Sequence, residues 1–141
     1  MRVAFAHFAD FVNITHDGKL NVLGIFEAVR ATHVPASIPS LALVFRVEAE
    51  AHELGRDLTI LVDVQTPKGV SIPVINAPFR VERLVPDDPG PTFSTNVTVT
   101  LQNLVLESFG RYEFRLLHFQ VVLHSLALTV LPIPLAKSKA K

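Results

Sequence analysis

The sequence predicts an all-β protein: an antiparallel β-sandwich of immunoglobulin-like or C2-like type, with seven to nine strands and no long helix. Three observations carry this reading. Apolar and polar residues alternate at period 2 in several short runs, most cleanly in Arg111-Tyr112-Glu113-Phe114-Arg115-Leu116. Ten prolines and six glycines fall between such runs, as turn residues do in all-β chains. A tyrosine follows Gly110 at a strand start, behind the Leu-rich stretch from Leu101, which is how sandwiches close one sheet over the other.

The elements follow in chain order. Val3 to Ile14 and Leu20 to Val29 flank His16-Asp17-Gly18-Lys19. Asp-Gly between two apolar runs predicts a hairpin with a two-residue type I′ turn, which pairs His16 with Lys19. That register sets Asn13 opposite Val22, Phe11 opposite Gly24 and Ala9 opposite Phe26. One face then holds Ala9, Phe11, Leu20, Val22, Phe26 and Ala28. The other holds Phe8, Asp10, Val12, Ile14, Leu23 and Ile25, and both faces are mostly apolar. Thr32 to Ser40, with Pro35 and Pro39, reads as a crossing loop. Leu41–Glu50 and Asp57–Gln65 read as strands, the second with Leu58, Ile60, Val62 and Val64 inward. Thr66-Pro67-Lys68-Gly69 is a turn. Val70–Val74 and Phe79–Leu84 are short pieces that Pro73 and Pro78 confine to an edge or a broken strand. Val85–Pro91 is an exposed loop. Thr92–Asn103, Arg111–Leu117 and Val121–Val130 complete the strands. Residues 1–134 form one domain, and 135–141 are a short basic, disordered tail.

Composition narrows the function classes. Hydrophobic residues make up 49% and charged ones 18%, with mean hydropathy +0.38, an apolar balance for a soluble chain. No apolar run reaches the roughly 18 residues of a spanning helix. Arg2, His7 and Asp10 interrupt the apolar stretch that a signal peptide needs. The apolar excess therefore points to a partner surface rather than a membrane. Thirteen basic and thirteen acidic residues cancel, which removes the electrostatic footprint of a nucleic-acid binder. There is no cysteine, so disulfides, thiolate metal sites and cysteine nucleophiles are excluded. The expected setting is the bacterial cytoplasm.

No group of residues predicts catalysis, a cofactor or a metal. His7, His16, His33, His52, His118 and His124 are scattered, and a zinc site needs three or four converging ligands. Asp10 sits on an apolar hairpin face. Without a positioned second group it reads as hydrogen-bonded to backbone or exposed at an edge rather than as an acid or base. Asp57, Asp63, Asp87 and Asp88 raise calcium, but their spacing reads as solvated carboxylates. Nucleophile elbows, phosphate-cradling glycine loops and paired catalytic carboxylates do not occur. The sequons at Asn13 and Asn96 read as chance matches.

Three stretches carry a family resemblance. Ala9-Asp10-Phe11-Val12 leads into Asp17-Gly18-Lys19-Leu20-Asn21-Val22-Leu23-Gly24-Ile25-Phe26, a proline-rich crossing follows, and Gly110-Arg111-Tyr112-Glu113-Phe114 comes later. The pattern resembles a family of short, single-domain bacterial proteins of unknown function. The resemblance implies a β-sandwich and brings no catalytic residues. Where its members show a polar turn between the last two strands, this chain has His118-Phe119-Gln120.

The reading that fits best is a non-enzymatic interaction module that self-associates, or docks a partner, through an apolar sheet face. A homodimer or other homo-oligomer is expected, without nucleic acid or membrane. The alternatives are a ligand- or carbohydrate-binding sandwich and a small hydrolase. The first wants exposed aromatic platforms, yet the chain has no Trp and one Tyr. The second lacks any converging motif. On this reading the interface lies on the hairpin Val3–Val29, the strand Val121–Val130, or both. In the latter, Val122, Leu126, Leu128 and Val130 are expected on one face, with Val121, Leu123 and Ala127 on the other.

Overall fold

The computed structural model describes residues 1–82 and 93–134, side chains 73 and 74 excepted, and there the chain is all-β. Nine strands occur among the described residues: β1 (Arg2–Ile14), β2 (Leu20–Phe26), β3 (Ala28–Ala31), β4 (Ala36–Ala49), β5 (Leu58–Gln65), β6 (Ser71–Phe79), β7 (Phe93–Leu106), β8 (Gly110–His118) and β9 (Val121–Pro132). The one helical piece among them is a 3-10 turn at Ala51–Glu53. The strands form two sheets, ordered β2-β1-β4-β7 and β3-β9-β8-β5-β6. The expected loop at Val85–Pro91, with Asp87 and Asp88, and the tail 135–141 lie outside the described residues.

The sheets share one core because each strand turns alternate side chains toward the other sheet. Phe8, Leu43, Phe45, Val47, Val97 and Val99 come from the first sheet, and Ile60, Val62, Phe114, Leu116 and Leu128 from the second. Phe8 meets Phe114 edge to face, with centroids 4.7 Å apart and planes at 76°. That arrangement sets the positive rim of one ring against the negative face of the other. The period-2 alternation predicts Leu58, Ile60, Val62 and Val64 inward on β5, Val97, Val99 and Leu101 on β7, and Tyr112, Phe114 and Leu116 on β8, and all of these are buried.

Several expectations are corrected. The first hairpin closes with three residues, not two. Thr15 pairs with Lys19, the Gly18 N–H donates to the Thr15 carbonyl at 2.9 Å, and Gly18 takes φ +85. The Thr15 hydroxyl accepts the Lys19 N–H at 2.9 Å and so widens the loop by one residue. The turn at Thr66–Val70 repeats this design, with Gly69 at φ +83 and Val70 donating to Thr66 Oγ1. One extra loop residue slips the register by one, so Phe11 faces Leu23 and Ala9 faces Ile25. The chain also leaves the first sheet after Phe26 and joins the second at Ala28. There β3 runs parallel to β9, so the fold is not wholly antiparallel. The expected crossing loop is shorter, because β4 already begins at Ala36. In place of the pieces expected at Val70–Val74 and Phe79–Leu84 there is one edge strand, β6, which runs through Pro73 and Pro78 and ends at Phe79; residues 80–82 are not in a strand, and 83–84 lie outside the described residues.

The final hairpin turns at Phe119-Gln120, where φ is +47 and +66, the two-residue geometry that usually recruits Asn-Gly. A bulge between Leu116 and Leu117 then shifts β9 against β8. Its effect on faces is direct. Val122 is left 45% exposed, while Leu123 is drawn into contact with the core. The proposed outward position of Leu123 and inward position of Val122 are therefore reversed.

Two buried polar contacts lie beside strand ends. Gly110 and the strand start at Tyr112 predict a corner tyrosine whose hydroxyl bonds backbone a few residues upstream, and Tyr112 Oη donates to the Ser108 carbonyl and accepts the Ser108 N–H, each at 3.1 Å. Glu53 accepts the Glu50 N–H at 2.9 Å and lies 3.0 Å from the Met1 ammonium. Burial pushes the Glu53 carboxyl up, but the Glu50 amide, the ammonium and nearby His52 together hold it below the ordinary glutamate range. Tyr112→Phe should cost about 1 kcal/mol in a urea titration, and an unchanged midpoint would contradict the corner bond. For Glu53 the sign runs as for any depressed carboxyl: its contribution is full above the unfolded pKa and fades as pH falls through the folded one. Glu53→Gln should cost about 2 kcal/mol at neutral pH and flatten the loss of stability in acid. Parallel pH profiles for variant and wild type would contradict the ion pair.

Candidate functional site: an uncharged outer sheet face

The corrected register gathers three of the exposed apolar residues, Phe11, Leu23 and Ile25, on one face. With Phe8, Leu43, Phe45 and Val99 facing inward, the residues between them face out from the first sheet. One row crosses all four strands as Ile25, Ala9, Ala42 and Thr100. Its neighbours are His7, Val44 and Thr98 on one side, and Leu23 with Phe11 on the other. None of these is charged. Acidic and basic residues on this face begin only at Arg46 and Glu48, toward the Met1 end.

Phe11 is 53%, Leu23 62% and Ile25 54% exposed, while Ala9 and Val44 beneath them are fully covered. The cause is local. β1 pairs with β4 only over Arg2–Ala9, so the rest of the hairpin is supported by its own two strands. Gly24 sits there at φ +70, and a Cβ on it would meet Asp10 Oδ2 at 2.4 Å. A glycine is thus required on two counts, backbone conformation and space.

Asp10 itself is exposed and faces the Phe8 and Phe26 side, not the Leu23 and Ile25 side expected for it. Asp63 is the larger correction. It is 7% exposed rather than solvated, ion-paired to Arg115 across β5 and β8, and accepts Ser71 Oγ at 2.8 and 2.9 Å. Neighbouring strands place a carboxylate opposite a guanidinium, a stabilising cross-strand pair. Arg115 Nε is buried without a partner, so this cluster is a tether between strands rather than an open site. Asp57 is exposed, and the Arg80 guanidinium beside it lowers its pKa.

The histidines stay apart in role. His7 stacks on Phe5 with centroids 5.7 Å apart, His118 lies 3.2 Å from the Thr59 carbonyl, and His52 lies near Glu50. Among the described residues no three His, Asp or Glu side chains converge as metal ligands would. A cleft of about 360 Å³ opens between the sheets beside Val64, Ile72, Leu104 and Tyr112, with Lys68 and Glu107 in its wall. No helix among the described residues is long and apolar enough to cross a membrane.

The comparison with known families decides membership. A family profile, a family of unknown function, matches residues 4–131. The chain belongs to DUF6941. No functionally curated protein matches it. Among solved structures, the DUF6941 chain is similar in shape to the Pseudomonas fluorescens alkylpurine DNA glycosylase AlkC, bound to DNA containing an abasic site analog. Identity is 11% and the TM-score 0.45, over 89% of this chain and 30% of that one. A likeness that weak carries no conclusion about activity. In this DUF6941 protein the sequence foresaw a doubly apolar hairpin, but its slipped register assigned Leu23 and Ile25 to the wrong companions. The signal that separates the two registers was Thr15, three residues before Gly18.

Proposed function

We propose that this DUF6941 protein is a non-enzymatic interaction module, a sandwich of immunoglobulin-like or C2-like type. It self-associates through the outer face of the β2-β1-β4-β7 sheet. The observation that carries this is the uncharged face with Phe11, Leu23 and Ile25 more than half exposed. Interface centres are depleted in charge and enriched in such side chains. A second copy suits the face because the chain has no net charge, so two copies meet without long-range repulsion. A two-fold axis then lets each hairpin cover the other with the same residues.

The magnitudes favour a modest contact. Burying the exposed half of a Phe, Leu or Ile is worth about 1 kcal/mol, so six such side chains from two copies give about 6 kcal/mol. Association itself costs about 4–15 kcal/mol. The face alone therefore gives weak association, and a further contact would strengthen it.

Leu23 is the residue to change, since its side chain is 62% exposed and the monomer does not depend on it. Leu23→Glu should halve the mass seen by light scattering at high micromolar concentration while leaving the melting curve of the folded chain in place. A wild type that is already monomeric there would overturn the reading.

A further inference from the structure

The two sheets end in four edge strands, and three of them are blunted. β2 is interrupted by Gly24 in the left-handed region. β3 is four residues long and carries Arg30. β6 contains Pro73 and Pro78, each without an amide N–H, and a register shift against β5. Such devices stop an edge from recruiting another strand.

β7 has none of them over its regular part. From Ser94 to Gln102 it keeps an unbroken register of nine residues against β4, from Glu48 to Ser40. That segment has no charge, no proline and no glycine, and the first positive φ comes after it, at Asn103. Among the described residues no strand pairs with its other edge. Its Thr, Val and Phe content suits a strand. An edge this long and regular is a template for one more strand.

The order of residues says whose strand fits. Asn96-Val97-Thr98-Val99-Thr100-Leu101-Gln102 reads alike in both directions about Val99, by chemical class. An antiparallel partner of the same sequence, related by a two-fold axis at Val99, sets Thr98 opposite Thr100, Val97 opposite Leu101 and Asn96 opposite Gln102. Hydroxyl meets hydroxyl, aliphatic meets aliphatic and amide meets amide, and no like charges are opposed. Thr98, Thr100 and Gln102 are exposed and Val97, Val99 and Leu101 buried, so the pairing continues the existing inside and outside.

We propose that two copies of this chain join edge to edge through β7, making one continuous sheet of eight strands. This contact is independent of the outer-face contact. In the joined sheet, ordered β2-β1-β4-β7-β7-β4-β1-β2, the two hairpins lie at opposite ends and cannot cover each other. Joined pairs that also stack by their outer faces form a tetramer with two-fold axes in both directions.

Cross-linking tests the register, and the absence of native cysteine makes it clean. Residues directly opposite in a sheet lie about 4.5–5.5 Å apart, within disulfide reach, whereas diagonal neighbours lie about 7–8 Å apart. Thr98→Cys chains mixed with Thr100→Cys chains, exchanged and oxidised, should give a covalent dimer. Neither variant oxidised alone should do so to a comparable extent. Thr98 and Thr100 also belong to the outer face, so the lysines are read in the Leu23→Glu background, where the outer-face contact is already lost. There Thr98→Lys with Thr100→Lys, which places four cations about the axis, should halve the remaining mass with the fold intact by circular dichroism. No covalent dimer in the mixture, or a Leu23→Glu mass unchanged by the lysines, overturns the edge contact. If the edge variants fail while Leu23→Glu still halves the mass, the outer face alone holds the copies. If the edge variants succeed and Leu23→Glu changes nothing, the edge alone does. A monomeric wild type overturns both.

Discussion

A strand has two faces and two edges, and a two-layer fold without long helices covers one face of each sheet. That constraint governs this chain. Its inner faces bury large apolar side chains, Phe8, Phe45 and Phe114 among them. Other apolar residues stay exposed, at Val70, Ile72, Phe119 and Val121. A further group stands on the outer face of the first sheet, at Phe11, Leu23 and Ile25. A soluble domain usually fills such positions with charge. Here the four-strand row from Ile25 to Thr100 carries none, and exposed apolar area without charge marks contact surfaces.

The second sheet solves the same problem differently. Its outer face carries Arg111, Glu113 and Arg115 on β8, and Asp63 and Gln65 on β5, with Asp63 tied to Arg115 and Ser71. One outer face thus carries charged residues, Asp63 and Arg115 among them as a pair, while the other is neutral along the row from Ile25 to Thr100. Two further polar contacts are buried: Tyr112 bonds to Ser108, and Glu53 holds the Met1 ammonium.

Much of this was legible in the sequence, because period 2 is a local signal. The alternation of Leu58 to Val64, Val97 to Leu101 and Tyr112 to Leu116 named the inward residues correctly. Gly110 and Tyr112 named the corner. What failed was register, which hangs on loop length. Asp17-Gly18 suggested a two-residue turn, yet the Thr15 hydroxyl holds a three-residue one, and one residue of slip regrouped every side chain of the hairpin. In β9 a bulge did the same to Val122 and Leu123, and no residue type announces a bulge there. Asp63 was misread for a different reason. Its partner Arg115 lies 52 positions away, and only the pairing of β5 with β8 brings them together. The parallel pair β3–β9 was likewise out of reach, since nothing local tells a chain to change sheets after Phe26.

On the proposed reading, a second copy of the chain covers the neutral outer face. Methyl NMR with a soluble paramagnetic probe reads this directly at Leu23 and Ile25. Methyl groups of both residues should be shielded at high protein concentration and become strongly relaxed on dilution, while core methyls such as those of Val62 stay shielded throughout. Strong relaxation of Leu23 and Ile25 that does not change with concentration would contradict it.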